Sequence, residues 1–94
     1  MSVVVTEAAM RRDEEGSYVG RTVFSVEGHA ARYEITFYSK RGKEWDYSLS
    51  FAGEPGSEEQ FLALDAMLEE DDELFDQLLD AALDAGDTGS GEEG

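Results

Sequence analysis

From Ala30 to Phe51 apolar and polar side chains alternate. Ala31, Tyr33, Ile35 and Phe37 are separated by Arg32, Glu34 and Thr36. After a polar interval, Trp45, Tyr47, Leu49 and Phe51 are separated by Asp46, Ser48 and Ser50. A period of two with polar residues between marks strands covered on one face only. Tyr18 to Glu27 reads as a third strand, with Tyr18, Thr22, Phe24 and Val26 on its apolar face, and Val3-Val4-Val5-Thr6 opens a fourth. Strands are therefore expected at about 2–10, 18–27, 30–39 and 44–52.

The turns fix how these strands face one another. Gly28-His29 suits a two-residue loop with Gly at its first central position, which sets Phe24 opposite Tyr33 and Val26 opposite Ala31. Lys40-Arg41-Gly42 suits a three-residue loop with Gly42 left-handed, which sets Phe37 opposite Trp45 and Ile35 opposite Tyr47. Both turns put the apolar residues on one face of an antiparallel meander. The polar run Asp13-Glu14-Glu15-Gly16-Ser17 joins the first strand to the second.

After Pro55-Gly56 the period changes. Ser57 with Gln60 forms a capping box, and Glu58 and Glu59 lie in the first turn, where the helix dipole favours negative charge. Phe61, Leu64, Leu68, Phe75, Leu78 and Ala82 then recur at helical spacing. The acidic run Glu69-Glu70-Asp71-Asp72-Glu73 interrupts them. Five adjacent like charges disfavour a continuous helix, so two are expected, at about 58–70 and 73–85, with Asp71 or Asp72 capping the second. Gly86 is a plausible C-terminal stop, and residues 87–94 read as a flexible acidic tail. The expectation is one α+β domain over residues 1–86, a meander of three to four strands covered on one face by an acidic helix or helix pair.

With 94 residues there is room for one domain and no second lobe to wall a deep cofactor cavity. There is no cysteine, which excludes a disulfide framework and a thiolate metal site. No apolar run approaches the length of a membrane span, and the start of the chain lacks a signal-peptide pattern, so a cytoplasmic location is expected. The single histidine, His29, falls in a tight turn, and no nucleophile motif or phosphate-cradling glycine loop is present. The chain is accordingly read as non-enzymatic, with no cofactor and no specific metal site.

Charge changes the picture most. Of 23 acidic residues, nine lie in residues 1–54 together with all seven Lys and Arg; the other fourteen lie in residues 55–94 with no base among them. Adaptation to high salt would spread carboxylates over the whole surface, and this distribution is segregated. On a continuous helix Asp65, Glu69, Asp72, Asp76, Asp80 and Asp84 would fall within an arc of about 120°. With Glu58, Glu59, Glu70, Asp71 and Glu73 they give roughly one carboxylate per ~3.6 Å of axis, close to the ~3.4 Å phosphate spacing along one DNA strand. Like charges at such spacing each cost a few tenths of a kcal/mol. A basic protein surface is the partner such a row would attract.

In size, acidity and its sheet-plus-acidic-helix layout the chain resembles the small acidic DNA-mimic inhibitors, the anti-CRISPR, anti-restriction and uracil-DNA glycosylase-inhibitor proteins, many of them phage-encoded. The resemblance covers composition across residues 55–84 and implies stoichiometric occlusion of a basic nucleic-acid-binding cleft, in a CRISPR effector, restriction enzyme or repair enzyme. Asp65, Glu69, Asp72, Asp76 and Asp80 would stand in for phosphates, with Glu70, Asp71 and Glu73 adding to the field. Such a protein binds no nucleic acid itself and does not enter a membrane.

The alternative is an interaction module, such as an immunity protein, antitoxin or adaptor, that offers Leu74, Phe75, Leu78 and Leu79 to a partner groove. A homodimer through an edge strand or the second helical segment is also compatible with the residues. The basic loop Lys40-Arg41-Gly42-Lys43 either pairs with helix acids, touches a partner, or serves to discourage edge-to-edge sheet pairing.

Overall fold

A computed structural model describes residues 2–91 of the chain. The alternating segments form β1 (Val3–Arg12), β2 (Tyr18–Val26), β3 (Arg32–Ser39) and β4 (Asp46–Phe51), one antiparallel sheet in the order β1-β2-β3-β4. Two helices follow, α1 (Glu58–Glu70) and α2 (Asp72–Gly91). The α+β arrangement is the one expected, with both helices on the apolar face of the meander.

The core lies between the layers. Phe24 and Val26 from β2, Tyr33, Ile35 and Phe37 from β3, and Leu64, Leu68, Leu74, Leu78, Leu79 and Ala82 from the helices are buried together. Phe61 of α1 meets the rings of Tyr33 and Phe51 at 6.3 and 5.0 Å. Phe75 of α2 meets Phe37 and Tyr47 edge-on at 5.4 and 5.6 Å. Ring pairs at these separations add to the gain from burial itself. Further along α2, the buried Thr22 hydroxyl donates to the Leu78 carbonyl at 2.9 Å, so the one polar group this strand sends into the core is satisfied.

The first hairpin of the alternating region keeps the expected register, Phe24 opposite Tyr33. Its turn is placed one residue earlier than expected. The His29 amide donates to the Val26 carbonyl at 3.0 Å, so Glu27 and Gly28 are the central pair, and Gly28, at φ 86°, takes the second central position. Gln60 ties α1 to this turn: its side chain accepts from the Ala30 amide and donates to the Gly28 carbonyl. Only half of the expected capping box therefore forms, with Ser57 Oγ accepting from the Gln60 amide at 3.2 Å.

The second hairpin departs from expectation. Phe37 lies opposite Tyr47 and Ile35 opposite Leu49, two residues from the predicted pairing with Trp45 and Tyr47. Trp45 leaves the ladder and packs against Phe37 and Tyr18, at 6.4 and 6.1 Å between ring centroids. Gly42 does take the left-handed backbone, φ 79°, beneath the Tyr18 ring, and its amide is held by Ser39 Oγ at 2.7 Å. Because the shift is even, every side chain keeps its face.

In β1 the register slips between Val5 and Glu7. This bulge changes which parity faces the core: Val3 and Val5 before it, Ala8 and Met10 after it. Gly20, opposite Met10, leaves the space into which the methionine side chain lies.

The helix break falls at Asp71, as the acidic run predicts. Gly86 does not stop α2, whose backbone is helical to Gly91; glycine costs a helix about 1 kcal/mol without forbidding it. The last part of the expected tail, residues 92–94, lies outside the described residues. No helix among the described residues is long and apolar enough to cross a membrane.

Candidate functional site

The junction between the helices is built by one residue used twice. Asp71 leaves helical geometry, φ −108° and ψ 96°, while its amide still bonds the Met67 carbonyl at 2.7 Å to close α1. Its carboxylate accepts from the amides of Glu73 and Leu74, at 3.0 and 3.2 Å, and so caps α2. A short acidic side chain is suited to this, since it satisfies amides that a helix start leaves orphaned and lies where the dipole favours negative charge.

Around this junction Glu69, Glu70, Asp71, Asp72 and Glu73 are all exposed, and Asp76 and Asp80 continue the exposed acids along α2. Among the described residues, none of these seven pairs with a basic side chain; the ion pairs run from Arg21 to Glu7 at 3.3 Å and to Glu34 at 3.7 Å, on the far side of the sheet. Glu58 and Glu59, in the first turn of α1, are exposed as well and belong with the acidic surface; the spacing argument counted them, although they were not among the residues named to stand in for phosphates. Their first-turn position was the signal available for including them.

Asp65 stands apart from the others. It is half-buried and accepts a long hydrogen bond, 3.5 Å, from the Tyr47 phenol. Burial raises the Tyr47 pKa above its ordinary value, and the negative charges of Asp65 and Glu69 raise it further, as does the hydrogen bond. The break also ends the continuous row. Asp65 and Glu69 sit on the helix that covers Tyr33 and Phe51, whereas Asp72, Asp76 and Asp80 sit on the helix that crosses Phe37 and Thr22 toward β1. The acidic surface is a bent strip with its densest part at the bend, in place of one 120° arc.

The apolar set proposed for a partner groove is occupied. Leu74, Leu78 and Leu79 are buried, and half-buried Phe75 is packed between Phe37 and Tyr47. These side chains hold α2 to the sheet, where Phe75 covers Phe37 and the Leu78 backbone meets Thr22. Leu62, 62% exposed on α1, is the large apolar side chain that the helices do leave to solvent.

Among the described residues no ion pair joins the basic loop to the helix acids. Lys40, Arg41 and Lys43 are exposed and, with Tyr38, Ser39, Glu44 and Asp46, line a shallow cavity of about 400 Å³ at the end of the β3–β4 hairpin. Directly opposite one another in the ladder, Tyr38 and Asp46 place this cavity on the sheet face away from the helices.

His29, the single histidine, meets the buried Tyr33 phenol through Nδ1 at 2.8 Å. It satisfies a core hydroxyl, and the Tyr33 pKa is raised by burial. No protein family, curated protein or solved structure matches the chain.

Proposed function

We propose that this chain is a non-catalytic inhibitor whose helix-junction carboxylates imitate the phosphates of a nucleic acid and occupy the basic cleft of an enzyme that binds one. The observation that carries this reading is the run of exposed acids from Glu69 to Glu73, extended by Asp76 and Asp80, with no cation beside it among the described residues. Keeping so many like charges together works against the fold, and a basic cleft would relieve the repulsion on binding. The Arg and Lys of such a cleft already suit closely spaced anions. Inhibition then needs only occupancy, without chemistry or a cofactor. The class of target is a CRISPR effector or another phage-defence or repair enzyme, met in the cytoplasm of the cell.

The test is capture of nucleic-acid-binding enzymes from a bacterial lysate at low salt, eluted in steps to about 0.5 M NaCl and, separately, by competing DNA; at that ionic strength exposed charge pairs are largely screened. The expected catch is a nucleic-acid enzyme that both salt and DNA release. Charge reversal at Asp72→Lys with Asp76→Lys is expected to weaken its binding on the order of a hundredfold, since like charges facing each other across an interface cost several kcal/mol. A partner that stays bound through the salt steps and binds the reversed variant equally well would overturn the reading.

A further inference from the structure

β1 ends the sheet, and its second half is a strand edge with little to protect it. Edges are commonly blunted by lysine, by proline or by shortness. The other edge, β4, is six residues long and sits beside the Lys40–Lys43 loop. β1 is ten residues long and has neither proline nor lysine. Its Asp13 end fixes which backbone groups look outward. The Asp13 amide donates to the Ser17 carbonyl at 2.9 Å. By the alternation of an antiparallel ladder, Glu7, Ala9 and Arg11 turn their backbone groups toward β2, and Ala8, Met10 and Arg12 turn theirs to the free edge. Among the described residues nothing bonds the outward groups of Ala8 and Met10.

We propose that this edge pairs with the same edge of a second copy, antiparallel and centred on Ala9, to give a twofold dimer with one continuous eight-stranded sheet. The side chains select this register. With Ala9 opposite Ala9 of the second copy, Ala8 faces Met10 as a hydrogen-bonded pair, so the outward groups of both are satisfied. Glu7 then faces Arg11 across the axis, twice, in the non-hydrogen-bonded pairing where side chains lie closest. Moving the register two residues one way sets Arg11 opposite Ala9, and two the other way sets Glu7 opposite Ala9. Neither gives an opposite-charge pair. The alanines at 8 and 9 keep the centre free of bulk. On the outer face Glu7 already holds Arg21 at 3.3 Å, and Arg11 of the second copy would join that pair.

The two chains also repel, since each carries a net charge of −16. Screening that repulsion favours the dimer, whereas screening weakens the binding of the acidic helices to a basic cleft. The salt dependences have opposite signs, so the two proposals fail independently.

Sedimentation equilibrium on the whole chain, at protein concentrations up to about 1 mM and in NaCl from about 0.05 to 0.5 M, tests it. The expected result is a mass rising from the 10.4 kDa of one chain to twice that and no further, with tighter association at high salt. Arg11→Glu is expected to weaken dimerisation at least tenfold, and Glu7→Arg with Arg11→Glu to restore it. A monomer throughout the concentration and salt range would overturn the proposal. A mass that keeps growing with concentration would mean an open β1-to-β4 contact and would also overturn it. If the double variant fails to recover while its circular dichroism matches wild type, the register is wrong.

Discussion

The two outer surfaces of this small domain handle charge in opposite ways. On the open face of the sheet, Arg21 lies between Glu7 and Glu34, and Arg11 and Arg32 are interspersed with polar residues, so opposite charges are mixed and partly paired. On the helical layer, eleven carboxylates lie on residues 58–84 with no Lys or Arg on either helix. Both surfaces cover the same core and both are solvated, so solubility does not account for the difference. What separates them is tolerance of self-repulsion. The sheet pairs part of its charge across strands, whereas the acids from Glu69 to Glu73, with Asp76 and Asp80, meet no basic side chain among the described residues. The densest run of acids is where Asp71 closes one helix and caps the next, so one of these acids also shapes the backbone.

The largest effect should come from the seam between the layers. Leu78→Ala removes a fully buried side chain where α2 crosses β2 and should cost about 2–5 kcal/mol by urea denaturation. A soluble, fully stable variant that loses only partner binding would put the apolar face of α2 at an interface and return it to the role the core now fills.

Next is the junction. Asp71→Ala removes the cap on α2 and should cost about 1 kcal/mol, measured the same way. Asp71→Asn keeps an acceptor for the Glu73 and Leu74 amides and should recover most of that loss. If alanine and asparagine behave alike, the charge and not the cap sets the stability here.

The seam also has an alkaline limit. The phenols of Tyr33 and Tyr47 are both raised above their ordinary value of about 10, so the folded state favours the neutral form. That contribution is complete below about pH 10 and is lost as pH rises through the higher folded values. Denaturation at about pH 9 and pH 11, with tyrosine ionisation followed by absorbance, should show stability falling as the phenolates form.

The smallest effects contrast the two surfaces directly. Asp76→Lys should stabilise the fold by a few tenths of a kcal/mol at low salt, with the gain shrinking as salt is added. Arg21→Ala, in the exposed pairs of the sheet, should destabilise it by no more than about 1 kcal/mol. Equal signs for the two changes would remove the distinction between a balanced face and a strained one.

Much of this architecture was legible in the residues. Alternation located β2, β3 and β4 and their faces, the valine run located the start of β1, and the acidic run located the helix break at Asp71. These are local signals: period, turn chemistry and repulsion each act over a few neighbours. The structure decided what depends on contacts between distant residues. Trp45 left the β4 ladder because Tyr18 and Phe37 offered it a packing site, which moved the register by two. The bulge after Val5 let β1 change parity and keep both halves of its apolar pattern inward. Gln60 abandoned the second half of its capping box for the Gly28 turn.

The acidic site divides along the same line. That residues 55–94 hold fourteen acids and no base is a property of the sequence alone, and so is the negative field that follows from it. Whether an acid faces solvent or Tyr47, and whether Leu74, Leu78 and Leu79 face a partner or the sheet, was decided only when the helices packed over Tyr47, Phe37 and Thr22. Charge is carried by each residue wherever it goes, whereas burial belongs to pairs of surfaces that meet only in the folded chain.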